Sequence, residues 1–332
     1  MSPLRSPSAE TQPGAAARLM RALRTRLAFF GVRPGLEPPS HAKVTLALGG
    51  GGARGVAHLG AVEAIREHGI EIERIVGVSI GSLAGAMCAF DLDIHAVQKK
   101  ALDYLMSPEF QAHQQVLFGT HPRGDETATG GIFTWYQRVK QYLRANQLFH
   151  RVIRTPSLLP GLILKDVVDH LLPDADIADA KIPLAIVTVD LRSGHQVVLE
   201  NGPLRDAVRA SSSLPGIFPP IEIGEMNLCD IGVFYSLPTT IARSYDPRFV
   251  IAVDVSSEMR CLDKCETALD VLMRMDEIGE ALFRKHVRHL ADLVIRPDVA
   301  GVEWFDFSTC DKLVEAGRAA GRRALAHLKD RG

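Results

Sequence analysis

The sequence predicts an α/β domain in which a mainly parallel sheet carries helices on its faces. Three observations lead there. Between Val44 and Ala89 the chain alternates apolar strand-like runs, glycine turns and helix-like runs, the pattern of parallel strands joined through helices. Further apolar runs of strand length recur at Ile182–Val189, Gln196–Leu199, Phe249–Asp254 and Leu293–Ile295. With 332 residues, 46% of them hydrophobic, the chain has enough apolar material to bury a sizeable core.

Bulk properties exclude several classes. A formal net charge of −1 supplies no basic field, so no nucleic-acid partner is expected. The five cysteines, Cys88, Cys229, Cys261, Cys265 and Cys310, are odd in number and scattered, which fits a reducing compartment rather than a disulfide framework. Cys261 and Cys265 have no neighbouring His or second Cys pair, so no zinc site is expected there. No apolar run reaches the roughly 18 residues of a spanning helix, and the first residues lack a signal peptide's apolar stretch and cleavage site. A cytoplasmic location is the expectation.

Taken in order, residues 1–42 read as a basic tail, a helix and a linker. Residues 1–14 are rich in Ser and Pro and lack the material for a core. Residues 15–30 carry a helical pattern with Leu19, Met20, Leu23, Leu27 and Phe30 on one face and Arg18, Arg21 and Arg24 off it, although Arg26 falls on the apolar side. This basic amphipathic helix has two readings: peripheral contact with the inner face of a membrane, or packing on the domain. Gly31, Pro34, Gly35, Pro38 and Pro39 then form the linker. The domain itself is expected over 43–325. Val44–Leu48 is its first strand, followed by a helix around Val56–His68, a second strand at Ile72–Val78 and a small-residue helix at Ser82–Ala89. Residues 91–175, mostly helical with a Gly/Thr-rich break at 119–131, read as a cap inserted over a site, and 256–325 as a C-terminal accessory part.

Two glycine-rich turns carry the chemistry. Gly77, Ser79 and Gly81 form a G-x-S-x-G pentapeptide between a strand and a helix, which places Ser79 on a sharp turn at a helix N-terminus whose partial positive charge favours a nucleophilic oxygen. Gly50–Gly55 ends the preceding strand. It also fits G-x-G-x-x-G, but a dinucleotide loop wants a carboxylate at the end of the second strand. Glu71 and Glu73 lie at that strand's start, while its end is Val76–Ser79, so no cofactor is expected. The backbone N–H groups of Gly50, Gly51 and Gly52 are better assigned to an oxyanion. Arg54 either adds charge there or fixes the loop. For a base, His286, His289 and His327 lie in charged helical stretches, whereas Asp230 follows an apolar run and precedes Gly232 by two residues, at a strand end.

These residues resemble the patatin-like phospholipases, in particular their bacterial group, whose three marks are G-x-G-x-x-G, G-x-S-x-G and D-G-[GA] in that order. Here they are Gly50–Gly55, Gly77–Gly81 and Asp230–Gly232; further similarity lies at Arg209–Pro220, Thr188–Leu191 and Ile295–Phe307. The resemblance covers about residues 43–325. It implies a three-layer α/β/α domain, a Ser79–Asp230 dyad without histidine, no metal in the catalytic step, and hydrolysis of phospholipid or lysophospholipid acyl esters. Two departures stand out: Ile231 replaces a glycine, and Tyr235 and Ser236 replace a common Asn pair. A β-branched residue resists positive φ. If the family glycine served such an angle, Asp230 would be displaced, and a catalytically weak or inactive lipid-binding or regulatory protein is the alternative expectation.

Overall fold

The computed structural model describes residues 43–118, 157, 159–259, 261 and 265–329. The expected tail and helix within residues 1–42, with its membrane contact, and the break at 119–131 lie outside the described residues. One eight-stranded sheet organises the rest. Its strands are β1 (Lys43–Leu48), β2 (Glu71–Val78), β3 (Leu184–Asp190), β4 (Gln196–Leu199), β5 (Ile221–Ile223), β6 (Met226–Cys229), β7 (Val250–Val253) and β8 (Leu293–Ile295). The order is β5-β6-β3-β2-β1-β7-β8, with β4 paired to β3. Strands β3, β2, β1, β7 and β8 run parallel. The pairings β3/β4, β3/β6 and β5/β6 are antiparallel, so the sheet is mixed rather than parallel throughout. Short turns join β3 to β4 and β5 to β6, and such hairpin connections make those pairs antiparallel.

Alternation along each strand divides the core into two layers. Leu46 and Leu48, Ile75, Leu184 and Ile186, Ile251 and Val253, and Leu293 and Ile295 face one layer. It is covered by α1 (Ala57–Glu67), α2 (Ile80–Phe90), α3 (Ile94–Leu105), α4 (Pro108–Phe118), α5 (Leu162–Leu171), α6 (Leu204–Ser212) and, after α7 (Thr239–Ser244) and α8 (Ala268–Arg288), by α9 (Cys310–Lys329). The opposite face carries smaller side chains, Ala47, Val76, Val78, Ala185, Val187, Val250 and Ala252, under Leu237, Ala242 of α7 and Val287 at the end of α8. This is the three-layer α/β/α arrangement.

Helices α1 and α9 cross at backbone contact. A Cβ on Gly60 would lie 1.8 Å from the Val314 carbonyl oxygen, and one on Gly317 1.9 Å from that of Ala57. The segment expected as an accessory part therefore supplies a sheet strand, β8, and a helix of the main core.

Candidate active site

Strand β2 ends at Val78 and α2 begins at Ile80, so Ser79 makes the whole turn. Its backbone sits at φ 55° and ψ −130°, a left-handed φ unusual for a residue with a side chain. Both flanking glycines are required by close approach: a Cβ on Gly77 would meet the Gly81 carbonyl at 2.6 Å, and one on Gly81 would meet that of Leu48 at 2.2 Å. The turn is held from outside by Ser211 of α6, whose Oγ accepts the Ser79 N–H at 2.9 Å and donates to the Val187 carbonyl at 2.8 Å.

Sheet register brings Asp230 to the same level. Val78 pairs with Val187 in the parallel sense and Cys229 with Val189 in the antiparallel sense, both on the same edge of β3, because β4 takes the other edge at Val187 and Val189 alike. One residue further along each strand, Ser79 and Asp230 both arrive opposite Thr188 on that shared edge, so the ends of β2 and β6 meet there. A Cβ built on Gly232 would lie 2.8 Å from Asp230 Oδ1 and 3.6 Å from Ser79 Cβ, so these groups share one small space.

Asp230 is buried. Its N–H donates to the Ser213 carbonyl at 2.9 Å, and its Oδ1 accepts the Gly232 N–H at 2.6 Å. Burial pushes its carboxyl up to about 7, while the Ser79 hydroxyl and the Gly232 N–H offset part of the rise. Although the hydroxyl is near enough to stabilise the carboxylate, Oδ2 completes no hydrogen bond among the described residues and remains open to a proton.

Ile231 does not distort this arrangement. The non-glycine residues with positive φ among those described are Ser79 and Asp246, so position 231 needs no glycine angle. The Ile231 side chain packs against the second core layer, and its carbonyl accepts the N–H groups of Phe234 and Tyr235. The condition under which Asp230 would be displaced, a positive φ at position 231, is not met. The indispensable glycine of the segment is Gly232, where a side chain would strike the carboxylate.

The glycine loop follows β1 and abuts the elbow. A Cβ on Gly50 would contact Ser79 Cβ at 3.3 Å, and Gly55 packs so tightly on Ile80 that its Cβ would fall 2.2 Å away. Of the three expected oxyanion donors, Gly50 is already engaged: its N–H donates to the Ser236 carbonyl at 2.8 Å, just as that of Gly49 donates to Val253 at 3.1 Å. Gly51 and Gly52 are half-exposed, and their N–H groups donate to no carbonyl among the described residues, leaving two donors. Gly52 has φ +60°, and a side chain there would strike the Trp304 carbonyl. Arg54 is buried, with Nε donating to the Gly51 carbonyl at 3.1 Å. Burial and the neighbouring Arg284 lower its guanidinium to about 10. It fixes the loop from behind.

Three further residues escaped sequence reasoning. His58 lies fully buried, its Nε2 2.7 Å from the Gly49 carbonyl; burial lowers its pKa to about 4, so it is neutral and donates to the loop. Ser211 and Ser213 attach the elbow and the Asp230 segment to α6 and the turn after it. Their run of three serines inside an otherwise apolar stretch was the available signal.

Among the described residues, no helix is long and apolar enough to cross a membrane. Fold and site together define a three-layer α/β/α protein with a serine at a strained strand–helix elbow, a buried aspartate and a glycine loop. A family model described as patatin-like phospholipase matches residues 46–243, which hold all three, and the chain belongs to that family. It is 30% identical over 264 residues to human patatin-like phospholipase domain-containing protein 6, covering 78% of this chain and 16% of that protein. It is 27% identical over 309 residues to an uncharacterized NTE family protein of Mycobacterium tuberculosis, covering 86% of this chain and 47% of the relative. The chain thus spans about half or less of the length of these relatives. Among solved structures, human GIVD cytosolic phospholipase A2 aligns with a TM-score of 0.45 at 10% identity, over 96% of this chain and 64% of that one. VipD from Legionella pneumophila aligns with 0.43 at 14%, over 89% and 67%.

Proposed function

We propose that the chain is a serine acyl hydrolase that cleaves acyl esters of phospholipids or lysophospholipids. The observation that carries this reading is the meeting of Ser79, on its strained turn, with a buried carboxylate that has one open oxygen. Ser79 Oγ attacks the ester carbonyl carbon while its proton passes to Asp230 Oδ2. The Gly51 and Gly52 N–H groups donate to the oxyanion, and the N-terminal end of α2 adds its dipole. As the tetrahedral adduct collapses, Asp230 returns the proton to the leaving alcohol and the acyl group stays on Ser79. Water, deprotonated by Asp230, then attacks the acyl-enzyme carbonyl, and as that second adduct collapses Asp230 returns the proton to Ser79 Oγ and the fatty acid leaves.

Support for a lipid acyl group comes from the surroundings and the family. Ile217, Phe218, Trp304 and Phe305 form a separate apolar cluster with Leu159, Leu164 and Leu214. It adjoins the glycine loop through the Trp304 carbonyl, which accepts the Ala53 N–H, and adjoins Asp230 through Ser213. An acyl chain lying against it would place its ester between Ser79 and the two free donors.

The test is fluorophosphonate labelling together with hydrolysis of a short-chain nitrophenyl ester by wild type, Ser79→Ala and Asp230→Asn. Wild type is expected to label and turn over, Ser79→Ala to do neither, and Asp230→Asn to lose at least about 100-fold in kcat. Full turnover by folded Ser79→Ala removes the assignment.

A further inference from the structure

Up to Val287, whose side chain is buried in the second core layer, helix α8 is inside out. An amphipathic surface helix ordinarily turns its apolar stripe to the core and its charges to water. On α8 the side against the protein carries Asp270, Glu280, Arg284 and Arg288. Asp270 and Arg284 are buried, Arg284 pairs with Glu280 at 3.0 Å, and Arg288 reaches Asp254 at the end of β7. The opposite side presents Val271, Leu272, Met275 and Leu282 to solvent, with relative exposures of 48%, 66%, 59% and 64%. At 1.5 Å per residue, Val271 to Leu282 make an apolar stripe about 17 Å long.

Two observations say what fits the stripe. The first is its place. Ser236, whose carbonyl holds Gly50, donates its hydroxyl to Glu280, and the ring of Phe283 packs against Tyr235 at 5.6 Å between centroids. Next to Tyr235 lies exposed Phe234, in the turn that follows Asp230. The stripe is therefore continuous with the rim of the site. The second is charge. At 100° per residue, the half of α8 centred on the stripe includes Lys285 and His286, both exposed, and no carboxylate; Asp270, Asp276, Glu277 and Glu280 all fall on the other half. An apolar band flanked by a cation matches an acyl layer edged with phosphate.

We infer that the outward face of α8 docks on a phospholipid membrane surface and brings the rim of the Ser79 site against the lipid. The inference deepens the proposed acyl-ester hydrolysis and rests on it. Leu272, Met275 and Leu282 enter the acyl boundary, while Lys285 stays at the phosphate level. The ester then reaches Ser79 without its acyl chain crossing water.

Sedimentation with vesicles of phosphatidylcholine and phosphatidylglycerol, three to one, tests this on the full chain carrying Ser79→Ala, so that no lipid is consumed. That protein is expected to sediment, and the same protein with Leu272→Glu and Leu282→Glu to partition at least about tenfold less. In the active background the same two substitutions leave turnover of the monomeric nitrophenyl ester and the melting temperature unchanged. Should the glutamates lower the melting temperature, Leu272→Gln with Leu282→Gln takes their place. The inference is overturned if the parent does not sediment, or if the double variant sediments equally well. It is also overturned if, without lipid, the parent is a dimer that the double variant dissolves, because a second copy then covers the face. Sedimentation needs no chemistry, so a wild type inert toward the monomeric ester counts against the hydrolase reading, whereas a parent that fails to sediment, or a double variant that sediments as well as it, counts against the docking face alone.

Discussion

In the proposed mechanism Asp230 is the base, and it sets the expected pH response of the site. Its folded pKa of about 7 stands above the unfolded carboxylate value of 3.8 because burial penalises the charge. A base must be ionised, so kcat/KM for the nitrophenyl ester is expected to rise through about pH 7 and level off above it. Stability runs the other way. Between about pH 4 and 7 the folded state holds a proton that the unfolded state has lost, so this group's contribution is full below pH 4, is lost as pH rises to about 7, and stays lost beyond. Asp230→Asn removes that dependence, and its melting temperature relative to wild type is expected to climb between pH 5 and pH 8. A constant difference would show that the carboxyl titrates normally. Ile231 yields a second expectation at this scale. Because its φ is ordinary and its side chain packs on the core, Ile231→Gly should not raise kcat, and should lower stability by about 1–2 kcal/mol in urea unfolding. A gain in kcat would mean that the isoleucine does hold Asp230 out of place.

Glycine positions were the legible part of the elements, because each marks a close approach that the sequence must accommodate locally. Gly77 and Gly81 stood out as an elbow, and the structure shows a side chain at either colliding with backbone. Partners far away in sequence were not legible. The engagement of Gly50 by Ser236, and of Ser79 by Ser211, depends on strands and helices that meet only in the fold. Nor could periodicity orient α8: a wheel separates two faces without saying which one is inward. Two glycines within helices give opposite expectations. Gly317→Ala forces a Cβ onto the Ala57 carbonyl and should destabilise by about 1–3 kcal/mol despite alanine's better helix propensity. Gly279 of α8 has nothing within 4 Å of its Cβ position, so Gly279→Ala should stabilise by about 0.5–1 kcal/mol. Chemical denaturation of both variants decides the pair, and equal signs would mean the α1–α9 crossing is looser than described.

In the molecule as a whole, the site occupies the ends of strands from both the parallel and the antiparallel parts of the sheet. The parallel strands supply the glycine loop and the serine, and the antiparallel return of β6 supplies the aspartate. The chain predicted an α/β domain from its first strands but gave no sign that β6 runs backwards, since direction is set by which edge remains free. The matched family region ends at residue 243, yet β7 pairs with β1, β8 with β7, and α9 covers α1. A chain ending at residue 255 should therefore show no cooperative melting transition; a sharp one would make the remainder dispensable.

The crossing of Gly60 with Val314, and of Gly317 with Ala57, also bears on biosynthesis. Helix α1 leaves the ribosome early, but the partner that shields its inner face comes last. At about 5–20 residues per second the delay is on the order of 10–50 s. Throughout that interval the glycine loop lacks the Trp304 carbonyl that holds Ala53 and the helix packed behind it, so the geometry the proposed chemistry needs is set only after residues 304–329 have been made.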